Sequence, residues 1–333
     1  MKKRITIKDI ALALNIHHST VSRALHDDSR VNSETKKLIN DYATSHGYKV
    51  NQNAVNLRNG KHNVIALLVP NVHHTFFSNI ISYITDMAKK AGYMLVIFQS
   101  NEKEDEEKEI IDTIIQNQFT GVIASISSET TDSSNFKKLL EYNVSLVFFD
   151  RILEEMNVSK VIEDGENCTY EVAQQLYKRK YKRIAHISGP SHINVFRNRQ
   201  RGYKRAVKSN NSSYEKIVII ENDFSMEEGR RIAKNLLKND RPDAIICDSF
   251  NISIGILSVI NEMGIKSPEE MGFICYGNDP AVNLFTPTLS TIEQADKEIA
   301  IQAFNLLLKN IENKNTPKKT IKIPLKICLR ESC

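Results

Sequence analysis

Four side chains between residues 18 and 23 are of the types that read nucleic acid bases. His18, Ser19, Ser22 and Arg23 recur at spacings that place them on one face of a helix. The opposite face is apolar and carries Val21, Ala24 and Leu25. Imidazole, hydroxyl and guanidinium groups can exchange hydrogen bonds with the base edges that the major groove of DNA exposes. The segment therefore predicts a short helix that contacts DNA through its polar face.

Another short helix precedes this one and ends in a tight turn. Thr6 is a candidate N-cap, and Asp9 follows three residues later, as in a capping box. An apolar face at helical spacing is formed by Ile7, Ile10, Ala11 and Leu14. Asn15 tolerates the left-handed backbone that a tight turn requires. The pair predicts a helix-turn-helix whose second helix begins near His17.

A third helix is expected after the polar turn that follows His26. Its candidate N-cap is Asn32, and Gly47 is expected to end it. The predicted buried stripe consists of Leu38, Ile39, Tyr42 and Ala43. Three helices within residues 1–49 predict a small headpiece.

The net charge of the chain is concentrated in the same region. Residues 1–60 hold ten Lys and Arg and five Asp and Glu, which accounts for the whole net charge of +5. The remaining residues are neutral overall. An excess of positive charge is what binding to a phosphate backbone requires. The headpiece, and not the larger part of the chain, is therefore expected to bind nucleic acid.

Bulk properties exclude several other classes. At 333 residues the chain suits two or three domains, and it contains no apolar run long enough to span a membrane. The basic N-terminus is followed by an amphipathic helix, not by the apolar stretch of a signal peptide, so a cytoplasmic location is expected. Five scattered cysteines without a Cys-x-x-Cys pair predict reduced thiols and argue against a zinc site.

From Val64 onward, buried strands alternate with amphipathic helices. Continuous apolar runs such as 64–70, 144–149 and 272–276 are typical of a parallel sheet covered on both faces. The series restarts near residue 184, so two doubly wound α/β units are expected. Ligands bind at the carboxyl ends of parallel strands. The predicted ligand site is the cleft between the two units.

The headpiece motif resembles a known family. Ile7-Lys-Asp-Ile-Ala11 followed by Ser19-Thr-Val-Ser-Arg-Ala-Leu25 is similar to the DNA-binding head of the lactose-repressor (LacI/GalR) family of bacterial transcription regulators. Residue type, order and spacing all match, which makes the signal specific for so short a motif. The resemblance extends to Leu329-Arg-Glu-Ser332 at the end of the chain. The alternative for the head segment alone is a generic helical hairpin whose polar face is merely solvated.

The resemblance assigns DNA contacts residue by residue. It implies that His18, Ser19 and Arg23 contact bases, with His18 and Ser19 deciding which operator is chosen. Phosphate contacts are implied for Thr6, His17, Thr20, Ser22, Asn32 and Thr35. Hydroxyls, amides and helix N-termini are suited to that role.

A hinge helix is implied for residues 50–61, where a flexible linker is the alternative. In the family such a helix forms when two subunits pair on DNA, and a leucine is wedged into the minor groove. Leu57 occupies that position. An apolar wedge unstacks a base step and kinks the duplex. The proline usual at the start of this segment is Val50 here, which removes a residue suited to a first helical turn.

The resemblance further implies an effector domain of the periplasmic-binding-protein type. Its N-subdomain is expected to comprise residues 62–161 and 290–320, and its C-subdomain residues 162–289 and 321–333. The complete predicted architecture is thus α plus α/β, in which a three-helix headpiece and a hinge helix precede two doubly wound subdomains.

Effector contacts are implied at the mouths of the predicted strands. The residues are His74, Phe77, Arg151, Arg197, Asp248, Ser249 and Asn278. Arg197 is the strongest candidate, because a planar guanidinium can hold sugar hydroxyls, a carboxylate or a phosphate. Of Phe76 and Phe77, one is expected in the core and one in the cleft.

Some positions depart from the family pattern. Ser249-Phe250 replaces an Asn-Asp pair, and Cys275-Tyr-Gly-Asn278 replaces Gly-Phe-Asp-Asp. Two usual acceptors for sugar hydroxyls are therefore missing or displaced, which points to an unusual sugar or a sugar derivative.

The sequence therefore predicts a dimeric transcription regulator, with repression as its expected mode. It would bind a near-palindromic operator and respond to a small, presumed carbohydrate effector in the cleft. No catalytic constellation and no cofactor motif are recognised. The alternatives are a sugar-binding receptor, or a sugar-modifying enzyme with an appended DNA-binding head.

Overall fold

The computed structural model describes residues 5–48, 63–220, 224–277 and 279–333. The chain divides into two compact units, Met1–His62 and Asn63–Cys333. The hinge expected at 50–61, with Leu57, lies outside the described residues, as does Asn278.

The first unit is a three-helix headpiece. Its helices are α1 (Ile7–Leu14), α2 (His18–Leu25) and α3 (Ser33–Ser45). The predicted capping box is present, because Thr6 and Asp9 exchange side-chain and backbone hydrogen bonds. Asn15 ends α1 in the left-handed conformation, with φ of 54°. Asn32 caps α3 by accepting from the Thr35 amide at 2.7 Å.

A small apolar core holds the three helices together. It consists of Ile10, Ala11, Val21, Ala24, Val31, Ile39 and Ala43. The prediction that Leu38 is buried was wrong, since its side chain is 52% exposed. Ile39 and Ala43 occupy the side of α3 that α1 and α2 cover. Leu38 lies on the neighbouring face of α3, which these two short helices do not reach.

Twelve strands and eight α-helices make up the described part of the second unit. The strands are β1 (Val64–Val69), β2 (Met94–Gln99), β3 (Gly121–Ala124), β4 (Ser145–Phe149), β5 (Ser159–Glu163), β6 (Ile184–Ser188), β7 (Lys216–Ile219), β8 (Ala244–Cys247), β9 (Gly272–Tyr276), β10 (Ser290–Glu293), β11 (Thr320–Ile323) and β12 (Lys326–Cys328). The helices are α4 (Thr75–Lys90), α5 (Glu104–Gln116), α6 (Ser134–Glu141), α7 (Gly165–Lys178), α8 (Asn194–Ser209), α9 (Met226–Asn239), α10 (Phe250–Glu262) and α11 (Asp296–Glu312).

These strands form two six-stranded sheets, which confirms the two α/β units predicted from the sequence. The first has the order β11-β5-β4-β3-β1-β2 and the second β12-β10-β9-β8-β6-β7. All neighbours are parallel except β10 and β12. Each sheet carries apolar clusters on both faces, which explains its continuous apolar strands. We call the two halves lobe 1 and lobe 2.

The chain passes between the lobes three times. Strand pairing places the crossings after Glu163, Glu293 and Ile323, a few residues beyond the subdomain bounds expected at 161, 290 and 320. No helix within the described ranges is long and apolar enough to cross a membrane.

Gly202 allows α7 and α8 to pack closely. A Cβ at this position would collide with the carbonyl oxygen of Glu166. The backbone atoms concerned belong to a helix, so they cannot give way as a flexible side chain would.

We predict that Gly202→Ala lowers the free energy of unfolding of the second unit by about 1–3 kcal/mol, the usual cost of overpacking. Urea unfolding followed by circular dichroism measures it. Lys204→Ala, an exposed change on the same helix, is the control and should be close to neutral. Equal stability of the two variants would contradict the packing argument.

Candidate functional site

The N-terminus of α2 is organised by two adjacent histidines. Nδ1 of His17 lies 2.8 Å from Oγ of Ser19 and also accepts from the Ser19 amide. The rings of His17 and His18 lie 4.2 Å apart between centroids. Ser19 is half-buried and its hydroxyl already has a partner, whereas the His18 ring is exposed.

Arg23 is the cation of the α2 polar face. It is exposed, and its side chain makes no hydrogen bond or ion pair with any other residue the structure describes. Val21 and Ala24 turn inward on the other side of the helix. Of the predicted base contacts on α2, His18 and Arg23 have exposed side chains, whereas Ser19 is half-buried.

The residues expected to contact phosphates cluster at helix N-termini. Thr6, His17 and Asn32 are the N-caps of α1, α2 and α3. Thr35 lies in the first turn of α3, and Thr20 and Ser22 lie on α2, half-buried. Helix N-termini present backbone amides and a positive dipole end, both of which favour anions.

Acidic residues of the headpiece turn are neutralised locally. Asp28 accepts two side-chain hydrogen bonds from Arg30, which hold the pKa of its carboxyl well below the usual range. Asp27 pairs with Lys36 at 2.7 Å. The acids closest to the end of α2 are thus engaged within the headpiece.

In the second unit, two adjoining cavities lie between the lobes at the carboxyl ends of the strands. Each has a volume of about 50 Å³. Both are lined by His74, Phe76, Asp248, Ser249 and Gln294. A larger cavity of about 440 Å³ lies between β7 and α9, but none of the predicted effector contacts lines it.

The predicted effector residues are only partly brought together. His74, Phe77, Arg151, Asp248 and Ser249 line these cavities. Phe76 and Phe77 are both buried in the core of lobe 1 and both reach the cleft, so the expected division between them is not seen.

Arg197 lies at the rim and lines neither cavity. It pairs with Glu154 of lobe 1 at 2.7 Å and donates to the carbonyl oxygens of Ser191 and His192. The arginine that faces the cleft is Arg199. Residues two apart on a helix point in nearly opposite directions, so only one of the pair can face inward.

Arg199 joins the lobes through a buried ionic network. Its Nε lies 2.7 Å from Oε1 of Glu163, and its guanidinium carbon lies 3.6 Å from the ring centroid of Tyr276. Its Nη1 is 3.8 Å from Oδ1 of Asp248. Glu163 ends β5 in lobe 1, whereas the other members belong to lobe 2.

Asp248 is the most strongly held carboxylate of the cleft. It accepts from Ser188 Oγ at 2.6 Å and lies 3.0 Å from Nε2 of His186. Burial by itself would raise the pKa of Asp248, but His186, Arg199 and the hydrogen bonds outweigh burial and lower it. Asp248 is therefore a fixed negative charge in the cleft.

Asp150 behaves in the opposite way. It is 5% exposed, and burial, reinforced by the charge of Glu163, raises its pKa to about 7 against the attraction of Arg151 and Arg199. Its φ of 57° lies in the left-handed region, which a short polar side chain tolerates. The carbonyl oxygen of Asp150 accepts from Nδ2 of Asn194 in lobe 2 at 2.9 Å.

One polar atom of the cleft lacks a protein partner. Oγ of Ser249 is buried and makes no hydrogen bond with the described residues. Buried hydroxyls normally have a partner, so an orphan hydroxyl at a cavity wall indicates a place for a ligand or a water molecule.

Comparison with known proteins supports this organisation. Residues 6–51 match the family described as bacterial regulatory proteins, lacI family, and residues 173–333 match the periplasmic binding protein-like domain. The ribose operon repressor of Halalkalibacterium halodurans is 25% identical over 328 residues, which cover 98% of this chain and 96% of that protein. The transcriptional repressor CytR of Escherichia coli is 29% identical over 314 residues, or 93% and 91% of the two chains.

A solved structure with the same fold is the lac repressor dimer bound to operator and the anti-inducer ONPF. Its TM-score is 0.88 at 18% identity, with 99% of each chain covered. At this identity the likeness concerns the fold alone.

We predict that Asp150 makes the protein less stable as the pH rises. Its folded pKa of about 7 exceeds the ordinary value of 3.8, so the folded state binds the extra proton between these values and stability falls from about pH 4 to pH 8. A rise in the pKa from 3.8 to about 7 corresponds to about 4 kcal/mol, so Asp150→Asn should remove a loss of that order.

Urea unfolding at several pH values measures the effect. Burial also raises the pKa of Glu107 to about 7, so Glu107 makes every variant less stable as the pH rises. The difference between wild type and Asp150→Asn in the slope of stability against pH therefore isolates the contribution of Asp150. Asp86→Asn, an exposed change on α4, is the control. An unchanged slope in Asp150→Asn would contradict the assignment.

Proposed function

The chain belongs to the lacI family of bacterial regulatory proteins, and we propose that it binds operator DNA as a dimer under the control of a small molecule. The observation that carries the DNA-binding role is the outward polar face of α2, with exposed His18 and Arg23, on the segment that holds the whole net charge. Operator DNA places this activity in the cytoplasm.

In the proposed complex, α2 lies in the major groove. Arg23 can form a bidentate contact with guanine, and His18 can bond to several base edges. Ser19 contributes within the limits set by its hydrogen bond to His17. The N-cap groups Thr6, His17 and Asn32, with Thr20, Ser22 and Thr35, approach the phosphates.

Pairing of two chains explains the expected symmetry of the operator. A two-fold dimer reads two half-sites related by the same two-fold axis, so a near-palindromic site is expected. Residues 50–61 are proposed as the hinge, with Leu57 inserted into the minor groove at the centre. Such an apolar wedge bends the duplex and thereby brings both headpieces onto it.

The cleft of the second unit is proposed as the effector site. His74, Phe77, Arg151, Asp248 and Ser249 line it, and aromatic walls beside hydrogen-bonding groups suit a sugar-like ring. Arg197 and Asn278 are kept as proposed effector contacts. Because lobe motion and DNA binding would be coupled, effector and operator must change each other's affinity by the same factor.

We predict that Arg23→Ala weakens operator binding about 10- to 100-fold, because a bidentate base contact is worth about 1–3 kcal/mol. A duplex selected by the full chain from a random library serves as the probe, and fluorescence anisotropy measures affinity. Arg201→Ala, an exposed arginine change on α8, should leave the affinity unchanged. Removal of residues 1–60 should abolish binding, and retained affinity after that deletion would refute the proposed function.

We predict that Ser249→Ala separates ligand binding from stability. Removing an unpartnered buried hydroxyl should leave the free energy of unfolding unchanged or raise it by about 1 kcal/mol. The same change should weaken, about tenfold, the binding of whichever free sugar or nucleoside of a test panel stabilises the wild-type chain. Calorimetry gives the affinity and urea unfolding the stability.

Ser253→Ala is the matched control. The Ser253 hydroxyl donates to the carbonyl oxygen of Ser249 at 2.7 Å, so its loss should lower stability. If Ser249→Ala behaved like Ser253→Ala, the orphan hydroxyl would have a structural partner and no role toward a ligand.

A further inference from the structure

Arg151 has its charge matched before any ligand arrives. Its Nη1 lies 2.9 and 2.7 Å from the two carboxylate oxygens of Glu102. The Arg151 side chain is 8% exposed and the Glu102 side chain 31%, so the guanidinium is shielded from solvent while the carboxylate still meets it in part. On its other side the guanidinium faces the ring of Phe196 at 5.8 Å. A ligand in the cleft therefore meets an arginine whose charge is already compensated.

Glu102 is held in place by its own surroundings. It follows β2 in a loop where Asn101 and Glu102 both have positive φ, at 51° and 62°. Its Oε2 also accepts from the Ser128 amide at 2.8 Å. Non-glycine residues adopt this backbone conformation only where the surrounding contacts demand it. The carboxylate is thus fixed beside Arg151 and is not a mobile surface group.

The other basic side chains of the cleft also offer no uncompensated positive charge. Arg199 is matched by Glu163 and Asp248. Burial and the neighbouring Arg151 lower the pKa of His74, against the attraction of Glu102, so its imidazole is neutral at pH 7. The cations that line the two cavities are therefore matched or neutralised within the described residues.

Carboxylates outnumber cations around these cavities. Asp150, Asp248 and Asp279 line them, and Glu102 and Glu163 stand behind the arginines. A phosphate dianion would have to displace one of these carboxylates or bind without a free cation. Either step is unfavourable at a buried site, because an anion there needs an uncompensated partner.

We propose that Glu102 is a specificity-determining residue: by neutralising Arg151, it restricts the cleft to an uncharged hydroxylated ring compound and excludes the phosphate ester of that compound. Phe76, Phe77 and Phe196 supply apolar lining for the ring, and Ser249 and His74 supply neutral hydrogen-bonding groups. A free sugar and a nucleoside share this chemistry. The inference rests on the proposed effector role of the cleft.

The first test uses inorganic phosphate as the probe and needs no knowledge of the effector. The full chain is heated with about 10 mM phosphate or with chloride of equal ionic strength, since a ligand of the folded state raises Tm. Wild type and Arg151→Gln should give the same difference between the two salts. Glu102→Gln, which keeps the size and an acceptor for Ser128, should gain a phosphate-dependent rise in Tm.

Two controls assign the gain to Arg151. The double variant Glu102→Gln/Arg151→Gln should lose it, and Glu109→Gln, which removes an exposed carboxylate of α5, should not show it. Any phosphate bound by the headpiece is common to all variants and cancels. A phosphate effect in wild type that Arg151→Gln removes, or the absence of a gain in Glu102→Gln, would overturn the proposal.

The second test uses matched pairs: D-ribose with ribose 5-phosphate, D-glucose with glucose 6-phosphate, and uridine with its 5′-monophosphate. Wild type should bind the uncharged member of a pair at least about tenfold more tightly than the ester, and Glu102→Gln should reduce that ratio about tenfold. The pair that responds distinguishes sugar from nucleoside. Tighter binding of an ester by wild type would overturn the proposal.

The two levels of inference fail separately. Loss of operator binding on deletion of residues 1–60, with no response of the operator complex to any compound, would refute effector control. The phosphate gain in Glu102→Gln would still be measurable in that case. Conversely, an operator complex that responds to a phosphate ester would leave the regulatory function intact and refute the role of Glu102.

Discussion

The buried contact of Arg199 with Glu163 and Asp248 is the constraint around which the second unit is arranged. The three side chains are at most 3% exposed, and each would be costly to bury alone. Every member therefore requires the others, together with the hydrogen bonds that His186 and Ser188 give to Asp248. Because Glu163 comes from lobe 1 and Arg199 from lobe 2, the network also fixes how the lobes meet at their crossing.

The same network decides the chemistry of the cleft. Arg199 cannot be offered to a ligand without leaving two carboxylates unpaired, so the arginine nearest the cavity floor acts as a brace. Arg151 is also neutralised by a carboxylate, that of Glu102. It is less buried than Arg199 and has one carboxylate partner instead of two. What the cleft presents is then aromatic surface, a neutral imidazole, an orphan hydroxyl at Ser249 and the carboxylates of Asp248 and Asp279. The proposed effector would therefore be recognised by shape and by hydrogen bonds, without an unmatched cation.

The sequence was sufficient for elements whose signals are local. The N-caps Thr6 and Asn32 depend on residues within one turn, and strands such as Ile184–Ser188 and Gly272–Tyr276 are continuous apolar runs, so both could be predicted. The short strands β5, β10, β11 and β12 were missed, because polar residues interrupt them and partners distant in the sequence define them. That Arg199, and not Arg197, lines the cleft could not be predicted from the sequence either. It depends on where α8 begins, at Asn194, and on which side of it the cleft lies.

The capping side chains of the headpiece are already engaged with neighbouring residues. Helices of eight residues are marginal without caps and packing. The Thr6 hydroxyl donates to the carboxylate of Asp9 at 2.7 Å, so a phosphate approaching this hydroxyl would meet a negative charge beside it. His17 and Ser19 are likewise engaged with each other at 2.8 Å. The groups that remain available at these termini are the backbone amides, whose direction the caps fix. The caps therefore orient the helix ends, and among the predicted base contacts His18 and Arg23 are the side chains that no cap requires.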